Sequence, residues 1–244
     1  MTEPASLAEL EAAIPGCARC PELRAYAAEV ARVKRRAYRD EAYWGRPVPG
    51  FGDPLARCVL VGLAPGAHGS NRTGRMFTGD ASGRFLYRAL YRAGFASQPA
   101  STHRGDALRL DDCFITAALR CAPPANAPTP AQLVRCEPHL DAEFALLARM
   151  RVVIGLGAIG TRAAVLALRR AGSAVPRFAF AHGVRRDVEA STLASGGAGP
   201  TRNVTLLTTY HPSAQNTNTG RLTEGMLDAV FAMARIVLDR SDLR

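Results

Sequence analysis

The sequence contains no apolar run approaching the roughly 20 residues that a membrane-spanning helix requires. Its opening stretch, MTEPASLAELEAAIPG, carries acidic side chains and lacks the apolar segment of a signal peptide. These absences predict a soluble, cytoplasmic protein with no membrane partner. In that compartment the six cysteines are expected as metal ligands or buried thiols rather than as disulfides. Acidic charge is also scarce: 21 Asp and Glu face 31 Lys and Arg, a formal net charge of +10 that is carried almost entirely by arginine. Arginine suits bidentate contacts to phosphate, so a nucleic-acid partner fits. An Arg- and Ala-rich composition bias would produce the same excess, so motifs have to decide. At 244 residues, a single α/β domain spanning 1–244 is expected.

The densest motif is GLAPGAHGSNRTGRMFTGDASG, Gly62 to Gly83, which follows a strand-like apolar run at Cys58–Val61 and leads into a helix near Arg84–Leu90. Its glycines let the backbone approach a ligand closely. Between them stand His68, Asn71, Arg72, Arg75, Phe77 and Asp80, more chemistry than a connector needs. Further strands are expected at Phe114–Leu119, at the apolar run from Val152, and at Val204–Thr209. Helices are expected at Leu7–Ile14, from Glu22 to about Tyr43, at Ala131–Met150 and at Glu224–Asp239. Residues 44–54, 96–112 and 191–203 read as loops. Strands alternating with helices imply a three-layer α/β/α fold around a mostly parallel four-stranded sheet, with ligands bound beyond the carboxyl ends of the strands.

Gly155, Gly157 and Gly160 spell the G-x-G-x-x-G dinucleotide fingerprint between a strand and a helix. The acidic residue required about 20 positions on is missing from the region around Val175–Phe180, which argues against a dinucleotide. Four cysteines fall into two groups, Cys17 and Cys20 in C-x-x-C-P and Cys121 and Cys136 further on. Four thiolates suit either zinc or an iron–sulfur cluster. The long gap and flanking prolines of the second pair are unlike a zinc ribbon and favour the cluster. Cys58 and Cys113 lie at strand positions and read as buried thiols.

Loops after Leu63, Leu119 and Tyr210 should converge on one crevice. It would hold Phe77 as an aromatic platform, amides of the Gly62–Gly69 turn, the Asp80 carboxylate and His211. Each has a plain alternative: Phe77 as core, Asp80 as a helix cap, His211 as a loop histidine held by backbone.

The ordered motifs VPGFGDP (Val48–Pro54), GLAPGAHG (Gly62–Gly69) with RMFTGD (Arg75–Asp80), TAALRCAPP (Thr116–Pro124) and YHPS (Tyr210–Ser213) through GRLT (Gly220–Thr223) closely resemble the family 5 uracil-DNA glycosylases, the UDGb type. The resemblance runs from about Cys17 to the last helix. It implies an enzyme that flips a damaged base out of DNA and hydrolyses the N-glycosidic bond, leaving an abasic site. It implies a structural [4Fe–4S] cluster on Cys17, Cys20, Cys121 and Cys136. Phe77 would stack on the base, while Gly62, Leu63, Ala64 and Gly66 would contact its polar edge. His211 would stabilise charge on the departing base. Asp80 would support the sugar or position water, with Asn126 as a weaker partner. The loop from Pro212 to Arg221, including Ser213, Asn216 and Arg221, would enter the duplex.

Two departures from the wider superfamily matter. Leu63 stands where many relatives carry an acid or Asn, and Ala117 stands where uracil-specific relatives read the base with Asn. Loss of that amide is expected to relax base choice toward other deaminated bases such as hypoxanthine. The expected partner is DNA containing damaged bases, bound by a monomer. The competing reading is a non-enzymatic DNA- or nucleotide-binding protein with a zinc or cluster clip.

Overall fold

The computed structural model describes residues 4–190, 193–194, 197–198 and 202–241. The strands are β1 (Phe51–Gly52), β2 (Cys58–Gly62), β3 (Cys113–Ala117), β4 (Val152–Leu156), β5 (Arg185–Ala190), β6 (Leu193–Ala194), β7 (Gly197–Ala198) and β8 (Arg202–Thr209). The helices are α1 (Leu7–Ala13), α2 (Pro21–Val33), α3 (Ser70–Thr73), α4 (Ala81–Arg92), α5 (Pro130–Leu146), α6 (Gly157–Arg170), α7 (Ala214–Asn218) and α8 (Glu224–Ser241).

The central strands bury apolar side chains on both faces because both faces of the sheet are covered. Leu60, Ile115, Ile154 and Leu207 point to one side, against Leu86 and Leu90 of α4 and Phe231 and Leu238 of α8. Val59, Val61, Val153 and Leu206 point to the other, against Leu140 and Phe144 of α5 and Ala164 and Leu168 of α6. Each such side chain, fully buried, contributes about 1.5–3 kcal/mol. Cys58 and Cys113 are paired neighbours within this core and remain thiols, as expected.

The sheet has six strands rather than four, in the order β1-β3-β2-β4-β8-β5. The four expected strands form its parallel centre, and the two additions are antiparallel edges. Both edges evade an apolar pattern for physical reasons. β1 is two residues long, and Gly52 is obligatory because a Cβ there would sit 2.3 Å from the Cys113 carbonyl oxygen. β5, RRDVEA, buries Val188 and exposes Arg185, Arg186, Asp187 and Glu189, a composition that also guards an edge against further pairing.

Other boundaries move as well. α2 ends at Val33 instead of about Tyr43, because Lys34 turns to φ +57 and a short 3-10 turn follows. β3 ends at Ala117, two residues before the expected Leu119, and α5 stops at Leu146. Within the expected loop 96–112, Ala96 and Leu110 form an isolated bridge. Of the expected loop 191–203, β6 and β7 pair with each other and β8 already begins at Arg202; residues 191–192, 195–196 and 199–201 lie outside the described residues.

Pairing runs from Cys58↔Cys113 to Gly62↔Ala117 and from Val152↔Thr205 to Leu156↔Thr209, so Gly62, Ala117, Leu156 and Thr209 finish along one rim. The chain crosses that rim at close quarters. A Cβ on Gly160 would lie 2.2 Å from the Val61 carbonyl oxygen, which explains this glycine of the fingerprint by packing of α6 on β2. Gly160→Ala is therefore expected to lower stability by about 1–3 kcal/mol, opposite in sign to an ordinary mid-helix Gly→Ala change. Chemical unfolding measures it, and an unchanged or raised midpoint would remove the close-packing role.

Candidate active site

The first loop off the rim is shaped around Phe77. This residue sits at φ +52, a left-handed conformation that bulky side chains rarely adopt. Such a residue costs on the order of 1–3 kcal/mol and persists only where its surroundings over-determine it. Here they do. Tyr87 donates its hydroxyl to the Met76 carbonyl (3.0 Å), and the Gly79 amide donates to the Ser101 carbonyl (3.1 Å). Buried Arg72 donates to the His68 carbonyl (2.8 Å) and the Gly79 carbonyl (2.7 Å), pairs with Glu41, and lies over the Tyr38 ring. Buried Arg75 donates to Thr78 Oγ1, to Ser101 Oγ and to both oxygens of Asp106, 31 positions away in sequence (2.7–3.0 Å). The Phe77 ring then brings its Cε2–Cζ edge onto Gly62, where a Cβ would come within 2.8 Å of it.

Asp80 caps α4, its Oδ1 accepting the Gly83 amide at 2.9 Å. Its Oδ2 lies over the Gly66–Gly69 turn, so close that a Cβ on Gly69 would be 2.0 Å away. The helix cap expected as the plain alternative for Asp80 is present, and its second oxygen packs on the glycine turn. Burial raises the Asp80 pKa above the ordinary carboxylate value, against the opposing pull of the Gly83 and Ser82 amides and of Arg84 and Arg72.

His211 stands just past β8. Its ring is 5.8 Å from Phe77, centroid to centroid, at 32°. Burial alone lowers its pKa to about 4, so the imidazole is neutral at physiological pH. Among the described residues neither ring nitrogen has a hydrogen-bond partner, leaving an N–H available for a ligand. The residue is held from behind: Gly157, at φ +78, approaches so near that a Cβ would meet the His211 Cβ at 2.9 Å, and Asn216 Nδ2 donates to the His211 carbonyl at 2.8 Å.

Several expected ligand contacts turn out to be scaffold on their side-chain atoms. Asn216 holds His211, and Ser213 caps α7 by accepting the Asn216 amide. Arg221 is exposed over Tyr210, its guanidinium 4.7 Å from the ring. Ala117 is 1% exposed and belongs to the core. The Gly62 and Leu63 carbonyls accept the Ala118 and Leu119 amides at 3.0 Å, which ties the loop to the end of β3, while Ala64 packs toward the cysteines. Asn126 is exposed at φ +55, and among the described residues no hydrogen bond or ring contact joins its side chain to Asp80 or His211. His182, which had no local motif to announce it, stacks at 5.3 Å on Tyr210 of the YHPS motif.

Cys20, Cys121 and Cys136 cluster with Leu23 and Leu119, and Cys17 lines the same recess with them. Arg24 fixes the turn by donating to the Cys17 carbonyl at 2.6 Å. Burial pushes the Cys121 and Cys136 thiols up to about 12 and about 11, so a metal group would have to displace their protons. Among the described residues no group of three His, Cys, Asp or Glu converges tightly enough for one metal ion. Four thiols lining one recess are a donor set that either zinc or an iron–sulfur cluster can use. Arg120, 1% exposed on the recess wall, has an Nε and an Nη1 without any partner, and an anionic group would satisfy them.

Fold and site together define an α/β/α protein whose strand rim presents an aromatic platform, a desolvated carboxylate and a neutral histidine beside a four-cysteine recess. Comparison with known proteins narrows this. The profile of the Uracil DNA glycosylase superfamily matches residues 49–235. A type-5 uracil-DNA glycosylase of Mycobacterium leprae is 48% identical over 94% of this chain and 95% of its own length, and one of Thermus thermophilus is 48% identical over 91% and 94%. One of Mycobacterium tuberculosis is 49% identical over 94% and 81%. The chain belongs to the type-5 uracil-DNA glycosylases of that superfamily.

The Arg75–Asp106 pair should be visible in stability. Burial opposes ionisation of Asp106, but Arg75 and the Thr102 and Leu108 amides outweigh it and bring its pKa down to about 2. A depressed carboxylate stabilises the fold above its unfolded pKa of about 3.9 and loses that contribution as pH falls through its folded value. Asp106→Asn is expected to lower the unfolding midpoint at pH 7 and to flatten its decline between about pH 4 and pH 2. Parallel acid limbs in the two proteins would assign the pair no such part.

Proposed function

We propose that this chain is a monofunctional DNA N-glycosylase that removes uracil, and other deaminated bases such as hypoxanthine, from DNA by base flipping. Its membership of the type-5 family supports the uracil activity. The observation that carries the chemistry is His211: neutral, unpartnered at both nitrogens, and beside the Phe77 ring at the strand rim. At 5.8 Å there is no room for a base between the two rings, which would take about 7 Å. A base stacked on Phe77 meets His211 along its edge, where its carbonyls are.

Hydrolysis breaks the bond between base nitrogen and sugar carbon. The electron pair leaves with the base, water adds its hydroxyl to the sugar, and the water proton ends on the base. His211 donates its N–H to the carbonyl oxygen where negative charge gathers. Asp80, held over the Gly66–Gly69 turn, supports the positive sugar or orients water, with Asn126 entering once DNA is bound. Ala117, with no amide to offer, leaves the base edge less strictly read, which is the basis for including hypoxanthine. The enzyme acts as a monomer in which 1–244 form one domain. The four cysteines carry a [4Fe–4S] cluster that ties the start of α2, the end of β3 and α5 together.

Incubation with duplexes containing uracil or hypoxanthine, followed by alkaline cleavage, tests the activity; intact strands with folded protein would defeat it. His211→Ala is expected to slow base release by about 10²–10³ in single turnover while changing DNA binding little. Equal losses in both would place His211 in docking. Because His211 stays neutral above about pH 4, the single-turnover rate should show no His211 titration between pH 6 and 8. The cluster reading predicts a brown protein, absorbing on the order of 400 nm, with iron and labile sulfide.

A further inference from the structure

Behind the cysteine recess lies a polar chain that the chemistry of base release does not use. Arg120 is 1% exposed and donates from Nη2 to Glu143 Oε2 at 2.6 Å. Its Nε and Nη1 are buried without a partner. Glu143, equally buried, also accepts from Thr116 Oγ1 at 2.5 Å, and its other oxygen would lie 2.5 Å from a Cβ on Gly50. A guanidinium with two orphaned N–H groups is expensive to bury. The other arginines of the recess are more exposed or shared: Arg24 donates to the Pro15 and Cys17 carbonyls while also acting on Cys121, Arg135 pairs with Glu22 and lies beside the Cys20 thiol, and Arg19 is exposed. On the opposite side His139 Nε2 lies 3.2 Å from Cys17 Sγ, a distance at which it donates to a thiolate.

A [4Fe–4S] centre on four thiolates is dianionic in its common state, and a buried anion needs both opposite charge and N–H donors. Resting on the cluster reading above, we infer that Arg120 is the buried counter-ion of that cluster, with His139 as the hydrogen-bond donor to its Cys17 thiolate. Glu143 moderates Arg120: it shares the guanidinium, and so limits how much positive charge the cluster feels. Both arginine and histidine act as positioning and tuning residues, touching the cluster and not the DNA.

The sign of each effect follows. Positive charge and N–H donors near the sulfurs favour the more reduced, more negative cluster. Potentials are measured on anaerobically purified holoprotein variants by redox titration with optical or paramagnetic detection. Arg120→Gln and His139→Ala should each move the potential negative, Arg120→Lys should stay near wild type, and Glu143→Gln, which frees the guanidinium, should move it positive. The opposed signs for Arg120→Gln and Glu143→Gln are the core of the test, since general loosening would shift both alike. Intact cluster spectra with unshifted potentials, or shifts of one sign for both, would overturn the inference. Wild-type protein without iron would instead reject the cluster reading itself. Should Arg120→Gln fail to fold, the Glu143→Gln and His139→Ala shifts decide.

Discussion

The contact between Phe77 and Gly62 governs the arrangement at the rim. A strand that ends in anything but glycine would push the ring away, and a ring carried by a relaxed backbone would not lie there, so the strained φ of Phe77 and the bare Gly62 require each other. Arg72 and Arg75 make the strain tolerable by tying carbonyls and hydroxyls on both sides of it into buried networks. The platform is therefore set before any ligand arrives, which is what a pocket must have if stacking is to offset the cost of extruding a base.

Around that platform the two ionisable groups are shifted by the same agency with opposite results. Desolvation raises Asp80 and lowers His211, in each case favouring the neutral form. A neutral histidine donates a hydrogen bond without bringing its own positive charge, and its N–H gains strength as charge builds on the acceptor. A carboxylate kept partly desolvated and pinned by the Gly83 amide offers its second oxygen to the crevice side of the Gly66–Gly69 turn. Placement rather than reactivity separates their roles.

Much of this was legible in the sequence because local pattern carried it. The four parallel strands are rich in apolar and β-branched residues, the loops follow their carboxyl ends, and close packing accounts for two glycines of the dinucleotide-like fingerprint, Gly160 on Val61 and Gly157 on His211. What escaped depends on partners far along the chain. β5 hides behind four charged residues because an edge strand buries only one face. Ser213 and Asn216 look like duplex contacts by composition, yet their hydrogen bonds build the turn that presents His211. Composition does not separate the arginines: most are not buried, but Arg72, Arg75 and Arg120 are and serve the interior, and nothing in a one-dimensional pattern links Arg75 to Asp106 or Arg120 to Glu143.

The end of β3 joins these two halves of the molecule. Thr116 feeds the Arg120–Glu143 pair, Ala117 closes the register with Gly62, the amides of Ala118 and Leu119 hold the carbonyls of Gly62 and Leu63, and Cys121 follows at once. Residues 116–121 thus reach both the Gly62–Leu63 end of β2 and the cysteine recess, against which Ala64 packs. A group that locked Cys121 to Cys17, Cys20 and Cys136 would act two residues from the Leu119 amide that holds the Leu63 carbonyl, and so would help to fix the start of the loop that carries Phe77.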